Sequence, residues 1–278
     1  RQSDRRTDRR PAAHAAEPRD PARMNRRLLC LLALLPALAW AQNPKTQDGR
    51  AEAAAAPAAV TDAKTARDPN RVAVLSLLGD NVQLISLTPA RGGSAQAGEW
   101  ASTPAGSLDN AVLQALSTAV AASAAGREAK LYTSSTRSLF GDPAALFVDG
   151  RLSLPGKLGE AVRQSGAAQL LLVTRSRQEP ALAAGLPARI PAILEGPGFV
   201  LDQRPTEQIG FDGEPGLPVL ASFASIRVAL VDLADLRLKR EQSLAVAARL
   251  PVTRESARNP WASLSAEQRL QALQALIE

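Results

Sequence analysis

The stretch Ser225-Ile-Arg-Val-Ala-Leu-Val-Asp232, followed by Arg237-Leu-Lys-Arg-Glu-Gln-Ser-Leu-Ala-Val-Ala247, decides the fold. The first run becomes continuously apolar, and the second returns after a short break at Leu233-Ala-Asp-Leu236. Two such runs around a short break are typical of antiparallel strands joined by a tight turn. The sequence therefore predicts a long hairpin between Ala221 and Leu250, which forms the nucleus of a sheet.

Further strands are predicted upstream of this hairpin. Val72–Leu78 and Val82–Leu87 flank the turn residues Gly79-Asp-Asn81 and predict a first hairpin. Ala168–Thr174 is apolar almost throughout, which is typical of a strand in the middle of a sheet. Thr88–Gly106 is rich in Gly, Ser, Ala and Pro, so we expect it to be an exposed loop.

Three segments have helical patterns. One runs from Ser107 to Gly126, with Ser107 as the N-cap and Asp109 in the first turn, where its charge meets the helix dipole. A second, short helix is expected over Pro155–Gln164. A last helix follows Trp261, which we interpret as a core anchor, and Ser265 begins a Ser-x-x-Gln capping box.

The mixture of strands and helices indicates a single α/β (α+β) domain over residues 71–278. We expect one mixed sheet of about six or seven strands with two or three packed helices, in two layers. The chain stops at Glu278 without a helix C-terminal signal, so we expect it to be truncated there.

Residues 24–41 have the three parts of a cleavable export signal. Asn25-Arg-Arg27 is a short basic region, the run from Leu28 to Leu38 is apolar, and Ala39-Trp-Ala41 is an A-x-A cleavage site. The apolar run is too short to span a bilayer comfortably. We therefore expect a periplasmic protein with no stable membrane span after cleavage.

Two segments flank this signal. Residues 1–23 are rich in Arg and Asp without apolar periodicity, and they are either translated upstream sequence or a disordered extension. Residues 42–70 are Ala-rich with almost no large apolar side chain, which predicts a disordered linker.

Composition excludes several classes of function for the exported part. Residues 1–41 hold nine Arg and four acidic residues. The net charge is therefore +6 for the whole chain and about +1 for the part that remains after cleavage. A nearly neutral chain with few aromatic residues is not typical of a nucleic-acid-binding protein.

The sole His14 and the sole Cys30 precede the cleavage site, which excludes a Ser-His-Asp triad, a thiol nucleophile and a Cys/His zinc site. The sequence predicts no cofactor, no metal and no catalytic motif.

The weak binding candidates lie around one glycine cluster. Gly196-Pro-Gly198 with Phe199 lacks the third glycine of a nucleotide loop, so we interpret it as a bulge or a close backbone approach. Arg175 and Arg177 end the central strand on one face and suit an anionic ligand or partner, although a salt-bridged strand end also explains them.

Two carboxylates near the same cluster, Glu195 and Asp202, are the candidate residues for an alternative function, a carboxylate-based hydrolase. A glycosidase-type hydrolase needs two carboxylates across a cleft, whereas the simpler reading is a solvated loop that continues from Asp202 to Pro218. A small-ligand carrier is a third hypothesis, and it requires an enclosed apolar cavity.

The segments Val72–Asp80, Ala168–Thr174, Glu195–Phe199 and Phe223–Asp232 resemble those of a group of uncharacterised exported proteobacterial proteins. The resemblance covers about residues 71–278. The element order is more distantly similar to the TolB N-terminal domain, the curli secretion lipoprotein and the penicillin-binding-protein activators. This resemblance implies a non-catalytic binding or scaffolding domain with an envelope protein as partner, and it leaves the oligomeric state open.

Overall fold

The computed structural model describes residues 67–90, 93–179, 186, 190, 192–210 and 213–277. The predicted signal peptide, the segment before it, and the predicted linker up to residue 66 lie outside the described residues. The strands are β1 Asp68–Leu77, β2 Asn81–Ala90, β3 Gly93–Ser102, β4 Glu128–Tyr132, β5 Phe147–Val148, β6 Arg151–Leu152, β7 Ala167–Arg175, β8 Arg177–Gln178, β9 Leu194–Asp202, β10 Val219–Asp232 and β11 Leu238–Leu250. The helices are α1 Ser107–Ser123, α2 Gly156–Arg163 and α3 Ala266–Ile277.

The fold is a mixed α/β structure built on one large mixed sheet, as predicted. Nine strands join this sheet: the path runs β3-β2-β9-β10-β7-β1-β4, β11 pairs with β10, and β8 pairs with β9. The predicted hairpin is confirmed, because β10 and β11 pair antiparallel from Leu220↔Leu250 to Val231↔Leu238. The strand over Ala167–Arg175 lies in the sheet interior, as its apolar sequence predicts, between β10 and β1.

The sheet is divided along one line, which we call the sheet break. Residues 219–225 of β10 pair with β9, and residues 226–232 pair with β7, so β7 and β9 follow one another along the same side of β10. The next strands repeat this arrangement, because β1 pairs with β7 and β2 pairs with β9. The sheet break therefore runs from residues 78–80, between β1 and β2, to Gly196 at the start of the β9–β10 pairing.

Two predictions for the N-terminal strands are wrong. Val72–Leu78 and Val82–Leu87 do not form a hairpin, because β1 pairs in parallel with β4 and β7 instead. The turn at Gly79, which has φ 68°, carries the chain across the sheet break without reversing it. The predicted loop over Thr88–Gly106 contains β3, which pairs antiparallel with β2. Hydrogen bonding to a neighbouring strand overrides the low strand propensity of its Gly, Ser and Ala residues.

Both faces of the sheet are covered. On one face, α1 and α3 pack against alternate residues of the central strands, including Val72, Val74, Leu171, Val173, Val228 and Leu230. On the other face, α2 and two 3₁₀ turns, Arg137–Phe140 and Pro143–Leu146, cover the half that contains β1 and β7. Four described residues, Leu186, Ile190, Ala192 and Leu194, pack on the half that contains β2 and β9, where Ile190 and Leu194 are buried.

Helix starts show one confirmed and one incorrect prediction. The capping box before α3 is present, because the Gln268 backbone N–H donates to Ser265 Oγ and the Ser265 N–H donates to Gln268 Oε1. At α1, however, Gly106 and not Ser107 occupies the N-cap, in a left-handed conformation. No helix in the described part of the chain is long and apolar enough to cross a bilayer.

Candidate binding surface at the sheet break

Arg175 is a buried structural residue, although the sequence suggests a solvent-facing site. It stands at the end of β7 and is 8% exposed. Its Nε donates to the Leu78 carbonyl at 2.7 Å, and its Nη2 donates to the Asn81 carbonyl at 2.8 Å. These two carbonyls lie where the chain leaves β1 and enters β2, so Arg175 satisfies backbone acceptors at the sheet break.

Asp109 accepts hydrogen bonds from donors of the same segment. It is 3% exposed, and its carboxylate accepts hydrogen bonds from Ser76 Oγ at 2.6 Å, Leu78 N–H at 2.9 Å and Gly79 N–H at 3.2 Å. Its predicted role at the α1 dipole is therefore secondary to its role as acceptor for the β1–β2 connection. Burial raises the pKa of Asp109 above its ordinary value, and these three hydrogen bonds offset part of that rise.

Burial also lowers the pKa of Arg175, while the nearby carboxylates of Glu195, Asp109 and Asp80 act in the opposite direction. Arginine remains charged at any ordinary pH. The Arg175 guanidinium thus donates to carbonyl groups of residues 78–81, and the Asp109 carboxyl group accepts from N–H groups of the same segment. Removal of one partner would leave the other buried and less well compensated.

The glycine cluster is a site of close backbone approach, as predicted. Gly196 has φ 64°, and a Cβ there would lie 3.0 Å from Arg175 Cγ. At Gly198, a Cβ would collide with the Gln83 carbonyl and the Phe223 ring. These glycines therefore let β9 lie against the Arg175 side chain and against β2.

An exposed group of side chains lies directly over this buried framework. The Trp100 ring lies 5.1 Å from the Arg175 guanidinium carbon and is half exposed. Arg177 is on the surface and forms an ion pair with Glu195, Nε to Oε2 2.9 Å. Ile193, which is 52% exposed, comes just before β9. We call Trp100, Arg177, Ile193 and Glu195 the break surface.

Gln83 links the members of the break surface. It is directly opposite Trp100 in the β2–β3 pairing. Its amide Nε2 donates to the Ile193 carbonyl at 3.1 Å, and its Oε1 accepts from the Glu195 N–H at 2.9 Å. Gln83 is thus paired with Trp100 in the sheet, and its amide group is hydrogen-bonded to the backbone at Ile193. The exposed Trp and Ile side chains therefore belong to a single surface.

The other two sequence candidates lie away from this surface. Phe199 is 1% exposed and packs edge-on against Trp261, with ring centroids 5.0 Å apart, which supports a core role for both. Asp202 is buried at the far end of β9 and accepts two hydrogen bonds from the Arg204 guanidinium, each at 2.8 Å. Asp202 is seven residues after Glu195 along the strand, so about 20 Å lies between them.

Sequence reasoning missed three residues of this region. Trp100 lies in a segment interpreted as a loop, and no motif in the sequence singles out Ile193. A tryptophan within a Gly/Ser/Ala-rich stretch of a chain with few aromatics was the available signal. Asp109 has no local sequence signal for its role, because its partners are about thirty residues away in sequence.

Comparisons with known proteins leave the family open. No family model matches this chain, and no curated protein matches it. Among solved structures, the chain is similar to protein XCC0632 from Xanthomonas campestris, a DUF330 protein, at 12% identity over 78% of this chain and 84% of that one, with a TM-score of 0.30. A TM-score this low does not show a shared fold. It gives no support to the similarity with TolB, curli secretion or penicillin-binding-protein activator domains.

Proposed function

We propose that the protein is an exported, non-catalytic binding or scaffolding module of the cell envelope, and that the break surface contacts its protein partner. The observation that carries this proposal is that Trp100 and Ile193 are half exposed on a surface fixed by hydrogen bonds, the one from Arg175 to the Leu78 carbonyl being buried. Large apolar side chains held in place next to a charged rim are typical of protein interfaces.

The chemistry of the break surface suits a particular kind of partner. Trp and Arg are the residue types most enriched among side chains that dominate binding energy. Trp100 and Ile193 offer apolar area, and Arg177 offers a guanidinium at the exposed rim. The matching partner presents one apolar side chain, with a carboxylate within reach of Arg177. The stacking of Trp100 on Arg175 fixes the ring before binding, which lowers the entropy lost on association.

Export to the periplasm is supported by the sequence from Met24 to Ala41, which has the basic, apolar and A-x-A parts of a signal peptide. The Ala-rich segment from residue 42 would then separate the domain, whose first strand begins at Asp68, from its point of export. N-terminal sequencing of the exported protein should find Gln42 first, and recovery of Arg1 would contradict cleavage.

The hydrolase alternative is not favoured by the geometry. Glycosidase carboxylates lie about 5 to 10 Å apart, whereas Glu195 and Asp202 are at opposite ends of β9. Each is also paired with an arginine, Arg177 and Arg204 respectively. The small-ligand carrier stays a prediction of the sequence.

The proposal is tested by partner capture with surface variants. Trp100→Ala and Arg177→Ala should each reduce capture of the envelope partner at least about tenfold, since hot-spot truncations cost about 2 kcal/mol or more. Leu131→Ala is the matched control, because Leu131 is a similarly exposed apolar residue on β4, at a different edge of the sheet. Equal capture by all three variants would remove the break surface from the proposal.

A further inference from the structure

β11 presents the longest strand edge of the described structure that pairs with no other described strand. It has 13 residues, of which residues 238 and 240–250 pair with β10, and none of the described strands pairs with its outer side. Typical strands have about five or six residues. An open edge of this length is a template for pairing with another chain.

The usual protections of an edge are confined to the ends of β11. Its pairing with β10 shifts register near Leu238, Pro251 follows the last residue, and its charged residues are near the two ends, at 239–241 and 249. Between them, residues 244–248 carry no charge and no proline, and all five are partly buried. Edge strands that must remain single usually carry a charge or a proline within the strand. The middle of β11 is therefore suited to take a partner strand.

We propose that this partner is the β11 strand of a second copy of the chain, antiparallel, with Ala245 opposite Ala245 of the second copy. In this register Glu241, which also forms an ion pair with Arg227 of its own chain, lies opposite Arg249 of the other copy, and the two-fold axis repeats the pair. Glu241 and Arg249 are separated by an even number of residues, so their side chains project from the same face of the sheet. Pairing then runs from Arg240 to Leu250 without a gap.

Neighbouring registers lack this complementarity. A pivot at Leu244 would place Lys239 opposite Arg249, which is a repulsive pair of like charges. A pivot one residue after Ala245 would place Glu241 opposite Pro251, which cannot donate a hydrogen bond. The self-complementary register is therefore the one centred on Ala245. This interface is separate from the break surface and does not depend on the proposed function.

Cysteine crosslinking tests the register directly. In the full chain with Cys30→Ser, Ala245→Cys places two thiols opposite each other, with Cβ atoms about 5 Å apart, so mild oxidation should convert most of the protein into a disulfide-linked dimer. Ala247→Cys is the control on the same face of the strand. Its thiol would lie about 13 Å along the strand from its counterpart and should not crosslink. Efficient crosslinking of both variants, or of neither, would overturn the proposal.

Sedimentation velocity over a range of concentrations tests the charge pair. Arg249→Glu places two acids opposite each other at both ends of the interface and should weaken dimerisation about tenfold or more. Arg240→Glu is the matched control, because Arg240 lies opposite Leu250 and its reversal should leave the dimer within about twofold of the wild type. A wild-type chain that stays monomeric at every concentration, or two variants that behave alike, would overturn the proposed pairing.

Discussion

The sheet break and the break surface lie side by side, yet they use the same residue types in opposite ways. Arg175 is buried and its guanidinium is bonded to two backbone carbonyls. Arg177, two residues later, is 77% exposed and forms a single surface ion pair. Buried ions are costly to leave without partners, whereas exposed ion pairs contribute little to stability. The comparison therefore assigns stability to Arg175, whereas Arg177 contributes little to stability and belongs to the surface that we propose for recognition.

The two regions are also connected. Trp100 stacks on the guanidinium of Arg175, and Gly196 lies against the same side chain. A buried hydrogen-bonded framework thus positions an exposed aromatic ring. This arrangement holds the ring in place on the surface that we propose as a binding site.

The largest expected difference between the two regions is in the free energy of unfolding. Arg175→Ala should lower it by about 3–5 kcal/mol, because the Leu78 and Asn81 carbonyls lose their donor and buried Asp109 loses a nearby cation. Arg177→Ala should lower it by less than about 1 kcal/mol. Urea denaturation of both variants measures the difference. Similar losses in the two variants would contradict the division of roles.

A glycine pair sharpens the comparison within the sheet. Gly198→Ala should lower the free energy of unfolding by about 1–3 kcal/mol, because its Cβ would collide with the Gln83 carbonyl and the Phe223 ring. Gly98→Ala, on edge strand β3, meets nothing within 4 Å and should have little effect. Thermal unfolding of the two variants is the measurement, and a tolerated Gly198→Ala would show that β9 does not depend on this close approach.

Asp109 gives the sheet break a pH dependence. Because burial raises its native pKa, the native state holds a proton at pH values where the unfolded chain has lost it. Its contribution to stability is present in full below the ordinary carboxyl pKa and is lost as the pH rises through the native pKa.

Asp109→Asn removes this titration. The stability difference between wild type and variant should therefore shrink as the pH rises from about 4 to 7, as measured by urea denaturation at each pH. A difference that grows with pH would mean that the hydrogen bonds and nearby Arg175 outweigh burial.

The smallest effect on stability is expected at the break surface itself. Trp100→Ala loses the contact between its ring and Arg175, which is worth about 0.5–1 kcal/mol at an exposed site. Its melting temperature should therefore remain close to that of the wild type, while partner capture falls. A variant that unfolds would place Trp100 with the structural residues of the sheet break.

The sequence predicts the parts of this fold that have local signals. The β10–β11 hairpin, interior strand β7 and the capping box at Ser265 follow from apolar patterning and cap chemistry. The partner strands of β1 and β2 were not predicted. The Gly79 turn is typical of a hairpin, and only contacts with distant strands show that the chain continues forward. Long-range pairing, not local propensity, decides this half of the sheet.

The candidate site was predicted only in part for a related reason. The glycine cluster in the sequence draws attention to Arg177, Glu195 and Gly196, and the structure shows that Arg177 pairs with Glu195 beside Gly196. The burial of Arg175 depends on carbonyl groups about a hundred residues earlier in the chain, which no local pattern reveals. The exposure of Trp100 likewise follows from the edge position of β3.

The most direct test of the account is site-specific photo-crosslinking in the cells that naturally carry the protein. An aromatic photoreactive residue in place of Trp100, which keeps a ring at this position, should capture one dominant envelope protein, and Arg177→Ala should reduce that capture at least about tenfold without unfolding the domain. The same residue at position 131, which is exposed at the β4 edge, should not capture it. Equal capture from both positions, or capture that survives Arg177→Ala, would contradict the assignment of recognition to the break surface.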